Sequence, residues 1–382
     1  NHDVDGYFYH QPEFPKVKFP ADPDRMKDAF VFNRERVWRE LFGEDYEPVR
    51  IKVVKGYRFV LRQWYAHLAS DVCAERWLSP PPDEPLYNAL RYESRELGRF
   101  FATHGEELKG EKPWFYVQHQ HPGDALYSPW NYGSPQGWGE HDCGESTRHL
   151  RNYPNCVAFS GHSHTSLVFE QSIWQGAFTS IDASACPGLA MAGAAGGGRA
   201  NCRWGDTDFR GTAFDCETPK AAQLMCVYDD RIVIENRELS TGEPLTASRE
   251  FPWPISRGRP YAYETRRAAA VPPEFPADAK IVRTETDDEI TISFPTVRRE
   301  NAGHRAIDYE VTLTGRTGSF RRVLDQRRVY SEGMALPESH DRKPVTVVYR
   351  KADYPSPAFQ DLRFEVRPCD SWDKKGRAIV NP

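Results

Sequence analysis

The stretch Cys156–His164 reads CVAFSGHSH: five strand-forming residues, a glycine, then two histidines separated by one residue. A short apolar run closed by a turn signal is the sequence signature of a buried strand. Gly161 lets the backbone turn tightly where that strand ends. In an extended segment, residues i and i+2 project to the same side, so His162 and His164 can address one site. A second stretch repeats the pattern: Pro113–Gln118 (PWFYVQ) is a short apolar strand, and His119 and His121 follow it ahead of Pro122. A third polar cluster, Asn1-His2-Asp3, opens the chain. Layered α/β folds assemble their sites from residues just beyond the strand ends. Two imidazoles suit Zn, Fe, Mn or Ni among the divalent ions. A pair of surface histidines in a loop is the plain alternative, and the repetition after a second strand weighs against it. Asn1 adds an amide oxygen, His2 a proton donor and Asp3 a carboxylate able to orient that ring.

Working outward, Arg50–Leu61 (RIKVVKGYRFVL) reads as two strands around a turn at Lys55-Gly56. Tyr87–His104 carries Leu90, Leu97, Phe100 and Phe101 at helical spacing. One further helix is expected near Asp24–Phe42. Gln223–Glu235 reads as a hairpin around Asp229-Asp230. Phe251–Pro276 is proline-rich, shows no periodic apolar pattern, and reads as a linker. Beyond it the texture changes to alternation: Ile290/Ile292/Phe294, Tyr309/Val311/Leu313, Val345/Val347 and Leu362/Phe364/Val366. That spacing predicts a separate all-β sandwich. The expected organisation is thus a layered α/β domain over 1–250, a linker over 251–276 and a β domain over 277–382.

The balance of 39% hydrophobic and 27% charged residues is that of an ordinary folded chain, without the bias of disorder. A net charge of −5 argues against a nucleic-acid-binding surface, which needs a basic face. No apolar run approaches the roughly 20 residues of a membrane span. None of the eight cysteines forms a CxxC pair, which argues against a zinc ribbon or thioredoxin-type motif. Buried free thiols are the plain reading for most of them. The Gly/Ala stretch Gly188–Ala200 lacks the Lys-Ser/Thr of a phosphate-cradling P-loop and reads as a flexible surface or active-site loop.

Taken in order, Asn-His-Asp, a strand followed by His, and Gly-His-x-His resemble the C-terminal half of the motif series of calcineurin-like metallophosphoesterases. That series reads Asp-x-His, Gly-Asp-x-x-Asp, Gly-Asn-His-Asp/Glu, His, Gly-His-x-His. The resemblance covers roughly residues 1–250 and starts inside the third motif, without its Gly. It implies a layered β-sandwich flanked by helices. It also implies hydrolysis of a phosphomonoester or phosphodiester by a hydroxide bridging two divalent ions, Zn, Fe or Mn. By the same resemblance Asn1, His119 and His162 bind the second metal and His164 the first. His2 contacts the phosphate and assists the leaving oxygen, with Asp3 holding its ring. His119 is favoured because it directly follows the strand; His121 is the alternative. The Asp-x-His pair and the bridging Asp do not occur here. The complete domain is therefore expected to hold two ions and this chain by itself one or none, with a poor activity of its own. A phosphate-ester substrate and an upstream segment or separate N-terminal fragment completing the site follow as expectations. The competing expectation is a non-catalytic cell-surface or assembly protein that retains the fold and a partial metal site.

The β-rich tail, through ITISFP (290–295), DYEVTL (308–313) and LRFEVRPCDSWDKKG (362–376), resembles a fibronectin type III domain, an immunoglobulin-like sandwich. Tyr309 and Trp372 are expected in its core or corners rather than as sugar-stacking residues. Phosphoesterases with such tails are commonly exported, so a periplasmic, secreted or cell-surface location is expected.

Overall fold

A computed structural model describes residues 34–63, 85–119, 121–122, 145–161, 166–184, 220–255, 258–297, 305–331, 333, 343–354, 360–372 and 374–381. The protein is mixed α/β, with many strands in several sheets and few helices. It divides into two compact units: residues 1–162, 175–182 and 252–258 form one, and 163–174, 183–251 and 259–382 the other.

The first unit contains helix α1 (Arg34–Phe42), strands β1 (Val49–Val54) and β2 (Tyr57–Arg62), helix α2 (Pro85–His104), strand β3 (Trp114–Val117), helix α3 (Glu145–Leu150) and strand β4 (Cys156–Ser160). Strand β6 (Thr179–Asp182) continues the sheet in the order β1-β2-β3-β4-β6, and the short β5 (Ile173–Gln175), divided between the two units in sequence, is its last strand. The expected turn between β1 and β2 is present: Lys55 and Gly56 both take positive φ, 49° and 79°. That pair of conformations matches the right-handed twist of a hairpin. From β2 onward the neighbours β2, β3, β4 and β6 are parallel. Parallel strands are covered on both faces and so read as continuous apolar runs, which is the texture of WFYV and CVAFS. Leu97, Phe100 and Phe101 of α2 pack with Trp114, Tyr116, Leu150 and Tyr153 in one core. On the opposite face of β3, Phe115 stacks on Phe59 with ring centroids 4.8 Å apart. The side chain of Leu90 and residues 24–33 of the first expected helix lie outside the described residues.

Cys156 sits at the start of β4 with no exposure. Burial pushes its thiol well above the ordinary value. The thiolate is the reactive species, so the Cys156 peptide of native protein should remain unmodified by iodoacetamide at pH 8 and become fully alkylated in denaturant. Modification under native conditions, read by peptide mapping, would contradict this packing. Cys369 is likewise free and buried, its thiol pushed up to about 12 chiefly by burial.

In the second unit, β7 (Ala221–Val227), β8 (Arg231–Glu238) and β9 (Arg249–Pro252) form one sheet. The hairpin read around Asp229-Asp230 is β7–β8. The proline-rich stretch carries the end of β9 and helix α4 (Tyr263–Ala269). Periodicity missed this helix because its packing residue is a cation: Arg266 lies 4.4 Å from the centroid of the Trp372 ring and donates to the Ile173 carbonyl at 3.0 Å.

The tail forms two antiparallel sheets. One is β10 (Val282–Glu285), β11 (Glu289–Phe294) and β14 (Val345–Arg350), in that order. The other runs β13-β12-β15-β16, from β12 (Asp308–Thr317), β13 (Phe320–Tyr330), β15 (Gln360–Cys369) and β16 (Ile379–Val380). The alternating residues meet in one core: Ile290, Ile292 and Phe294 from β11, Tyr309, Val311 and Leu313 from β12, with Val345, Val347, Phe364 and Val366. Tyr309 is fully buried and its hydroxyl accepts the Val297 N–H at 2.8 Å; Trp372 is also buried.

Candidate functional site

The parallel strands place the end of β3, with Gln118 and His119, beside the end of β4, with Ser160 and Gly161. Trp114–Val117 of β3 pairs in register with Cys156–Phe159 of β4. The pairing continues beyond the strands: Gln118 N–H donates to the Phe159 carbonyl at 3.1 Å, and Gly161 N–H donates to the His119 carbonyl at 2.9 Å. The residue that precedes His162 in sequence is therefore bonded directly to His119.

Leu61 pairs with Val117, Val117 with Phe159 and Phe159 with Ile181, an apolar row across β2, β3, β4 and β6. The next row is polar throughout: Arg62, Gln118, Ser160 and Asp182, all buried. Ser160 and Asp182 are register partners. Side chains alternate along a strand, so residues at one level of parallel strands share a face. At the β2–β3 end of the row, Arg62 Nη1 donates to Ser146 Oγ at 2.6 Å and to Gln118 Oε1 at 3.2 Å. The Tyr116 hydroxyl, Ser146 hydroxyl and Gln118 Oε1 form a triangle with sides of 2.8–2.9 Å. At the β4–β6 end, His121 is fully buried and its Nδ1 lies 2.6 Å from Ser160 Oγ. Burying this many polar groups is costly unless they are bonded, and this row closes the sheet with bonded ones.

Of the residues expected at a metal site, His119 and His121 are brought to this edge, His119 half-buried and His121 enclosed. Asn1, His2, Asp3, His162 and His164 lie outside the described residues, as does Gly188–Ala200. Among the described residues no group of three or more His, Cys, Asp or Glu is placed to hold a metal ion.

Sequence reading gave no role to Arg62, Ser146, Ser160 or Asp182. Ser160 and Asp182 carried a usable signal, each being the polar residue that closes a strand. Arg62 and Ser146 carried none, being 84 positions apart.

No family model matches the chain, and no curated protein matches it. Among solved structures, it is similar to the Clostridium perfringens spore cortex lytic enzyme SleM, at 9% identity and a TM-score of 0.19 over 76% of this chain and 75% of that one. It is also similar to two structures of a Kluyveromyces marxianus beta-glucosidase, one of them with glucose, at 10% and 11% identity and a TM-score of 0.21. Those matches cover 76% of this chain and 34% of theirs. None of the three is a phosphoesterase, and on this finding the expectation of a metallophosphoesterase enzyme, a hydrolase of phosphate ester bonds, is withdrawn. TM-scores this low carry neither a fold nor a glycosidase activity to this chain.

Proposed function

We propose that this chain is a metal-dependent binding protein rather than a catalyst. In this reading it keeps the sheet and part of the metal site of the calcineurin-like fold and holds one divalent ion through Asn1, His119 and His162. It presents that ion to a phosphate-bearing ligand. The observation that carries the reading is the 2.9 Å bond from Gly161 N–H to the His119 carbonyl, which joins His119 to the residue that precedes His162 in sequence. When bound, the ion supplies a positive charge and open coordination positions. The chain's contribution is to hold imidazole nitrogens together at the end of a rigid sheet. Imidazole ligation suits Zn, Fe or Mn.

The tail is read as a fibronectin type III-like module, supported by three strands facing four across one core. Such a module suits an exported cell-surface or assembly protein. No described helix is long and apolar enough to cross a membrane.

The test is metal analysis and calorimetry with Zn²⁺ and Mn²⁺ on the wild-type chain and on the His162→Ala/His164→Ala double variant, with an aryl phosphate assay alongside. One ion per wild-type chain, lost in the double variant, with equal background hydrolysis in both, is expected. Equal metal content in the two proteins would sink the reading. Hydrolysis by wild type that the double variant lacks would overturn its non-catalytic part.

A further inference from the structure

Two arginines of the second unit are packed against neutral oxygens. Arg249 on β9 is buried; its Nη1 donates to Ser172 Oγ at 2.8 Å and its Nη2 to the Leu167 carbonyl at 3.2 Å. Arg266 on α4 is half-buried and donates to the Ile173 carbonyl at 3.0 Å. Among the described residues neither guanidinium forms an ion pair. Elsewhere in the same unit Arg327 is held by Asp325 and Arg328 by Asp308. We propose that Arg249 and Arg266 form a receptor for a small oxyanion, the carboxylate or phosphate group of a ligand, separate from the metal site proposed above.

Charge balance is the first argument. A guanidinium keeps its proton in a protein, so burying one without a counter-charge is costly. Glu170, in the short 3-10 turn Glu170–Ser172, is the carboxylate whose field reaches both arginines. Its Oε2 is buried and has no hydrogen-bond partner among the described residues. One carboxylate that touches neither guanidinium, set against two cations, leaves one positive charge in excess. Burial, and then repulsion from Arg266, pulls the Arg249 pKa down to about 10. Burial brings Arg266 to about 10 as well. Both stay charged at neutral pH, and a bound monoanion balances them.

Geometry is the second argument. Ser172 and Ile173 are consecutive, so the two guanidiniums converge on one turn. Gln171 of that turn donates through Nε2 to the Ser371 carbonyl. The Ser371 hydroxyl is buried there and has no partner among the described residues, which makes it a neutral donor beside the two charged ones. Arg266 lies 4.4 Å from the Trp372 ring centroid and 5.3 Å from that of Tyr261. Aromatic faces hold a guanidinium in plane, and its planar fork matches two oxygens of a carboxylate or phosphate. Arg267, next in sequence, is exposed. The series exposed Arg267, half-buried Arg266, buried Arg249 grades inward from solvent, and clustered charge of one sign draws in the opposite ion.

The test follows thermal unfolding of the full chain in EDTA with sodium phosphate, sodium sulfate or sodium acetate. Sodium chloride at equal ionic strength is the reference, so that general screening cancels. A ligand that binds the folded state raises the midpoint. At least one oxyanion should raise the wild-type midpoint above the chloride value. A rise with acetate alone assigns the site to carboxylates; a rise with phosphate or sulfate assigns it to phosphate groups. The rise should be lost in Arg266→Gln and reduced in Arg266→Lys, which keeps the charge without the fork. It should persist in Arg322→Gln, which removes an exposed charge on β13. It should persist also in the His162→Ala/His164→Ala variant. Far-UV circular dichroism confirms folding of each, and the anion comparison on wild type decides without any variant. Equal midpoints in all four salts would overturn the proposal. So would a rise retained in Arg266→Gln, or one lost in the histidine variant. Absence of a bound metal removes only the reading above, because these measurements are made in chelator.

Discussion

Replacing Arg327 by Ala should destabilise the second unit by about 3–5 kcal/mol, the cost of leaving one member of a buried ion pair without its counter-charge. Arg327 and Asp325 stand two apart on β13 and so face the same side, into the sandwich, with side chains 9% and 2% exposed. Arg327 Nε lies 2.7 Å from Asp325 Oδ2. The guanidinium also donates to the Val348 carbonyl at 3.2 Å and to the Tyr354 hydroxyl at 3.3 Å. Its carbon lies 4.0 Å from the centroid of the Tyr349 ring. Burial by itself pulls the guanidinium pKa down, but its partners outweigh it and hold the pKa above its ordinary value. Burial also pushes the Tyr349 phenol well up, so the ring stays neutral under the cation. Removing Arg327 leaves Asp325 as an enclosed carboxylate. The matched substitution, Asp325→Asn with Arg327→Gln, removes both charges and should cost less than Arg327→Ala. Urea unfolding of the full chain, followed by hydrogen exchange in peptides of β13 and β14, checks both statements. A midpoint for Arg327→Ala indistinguishable from wild type would refute the first.

The contrast between this pair and the strands around it marks what a sequence can disclose. Ile290, Ile292 and Phe294 show their burial by alternation, because period-two spacing is local. The same holds for the hairpin at Lys55-Gly56, where two positive φ angles need the residue types that are there. Asp325 and Arg327 alternate correctly as well, but a charged pair at core positions reads as a solvated edge. Only the partner strand, with Tyr349 and the Val348 carbonyl, makes that position an interior one.

The candidate site divides in the same way. The histidine pairs after β3 and β4 were visible because each follows an apolar run. The burial of His121 against Ser160 was not, since Ser160 lies 39 residues away and the contact depends on the pairing of β3 with β4. Strand β6 went unread because TSID is three-quarters polar and has no apolar alternation, yet all four residues are buried. It is held as the neighbour of β4, in register from Val157↔Thr179 to Ser160↔Asp182. The polar row that closes the sheet thus comes from four strands, each contributing one residue that is unremarkable in its own segment.

Gly376→Ala should also damage the second unit severely, by about 3 kcal/mol or more, above the usual range for overpacking. A Cβ built at Gly376 runs into the Pro273 carbonyl oxygen, and also comes to 3.0 Å from Pro368 Cγ. The first obstacle is backbone and cannot rotate aside as a side chain would. Gly376 is held in place from both ends: its N–H donates to the Pro368 carbonyl at 2.9 Å, and Arg377 N–H reaches the Glu274 carboxylate at 3.1 Å. The segment 273–275, which brings Phe275 into the sandwich core, is therefore packed against the turn after β15 at a separation only glycine allows. To relieve the clash, the chain must either lift Pro273, withdrawing Phe275 from its contact with Tyr309 at 5.8 Å between ring centroids, or break the Gly376–Pro368 bond. Gly318, where a Cβ meets nothing within 4 Å but φ is +60°, makes the control. Substitution there costs only conformational strain, of order 1 kcal/mol. Unfolding of both alanine variants by urea should rank Gly376→Ala well below Gly318→Ala in midpoint. Exchange in the 273–279 peptide should quicken only in the former. Equal midpoints for the two variants would show that the chain accommodates the methyl group and that the close approach at Pro273 is not a constraint on the fold.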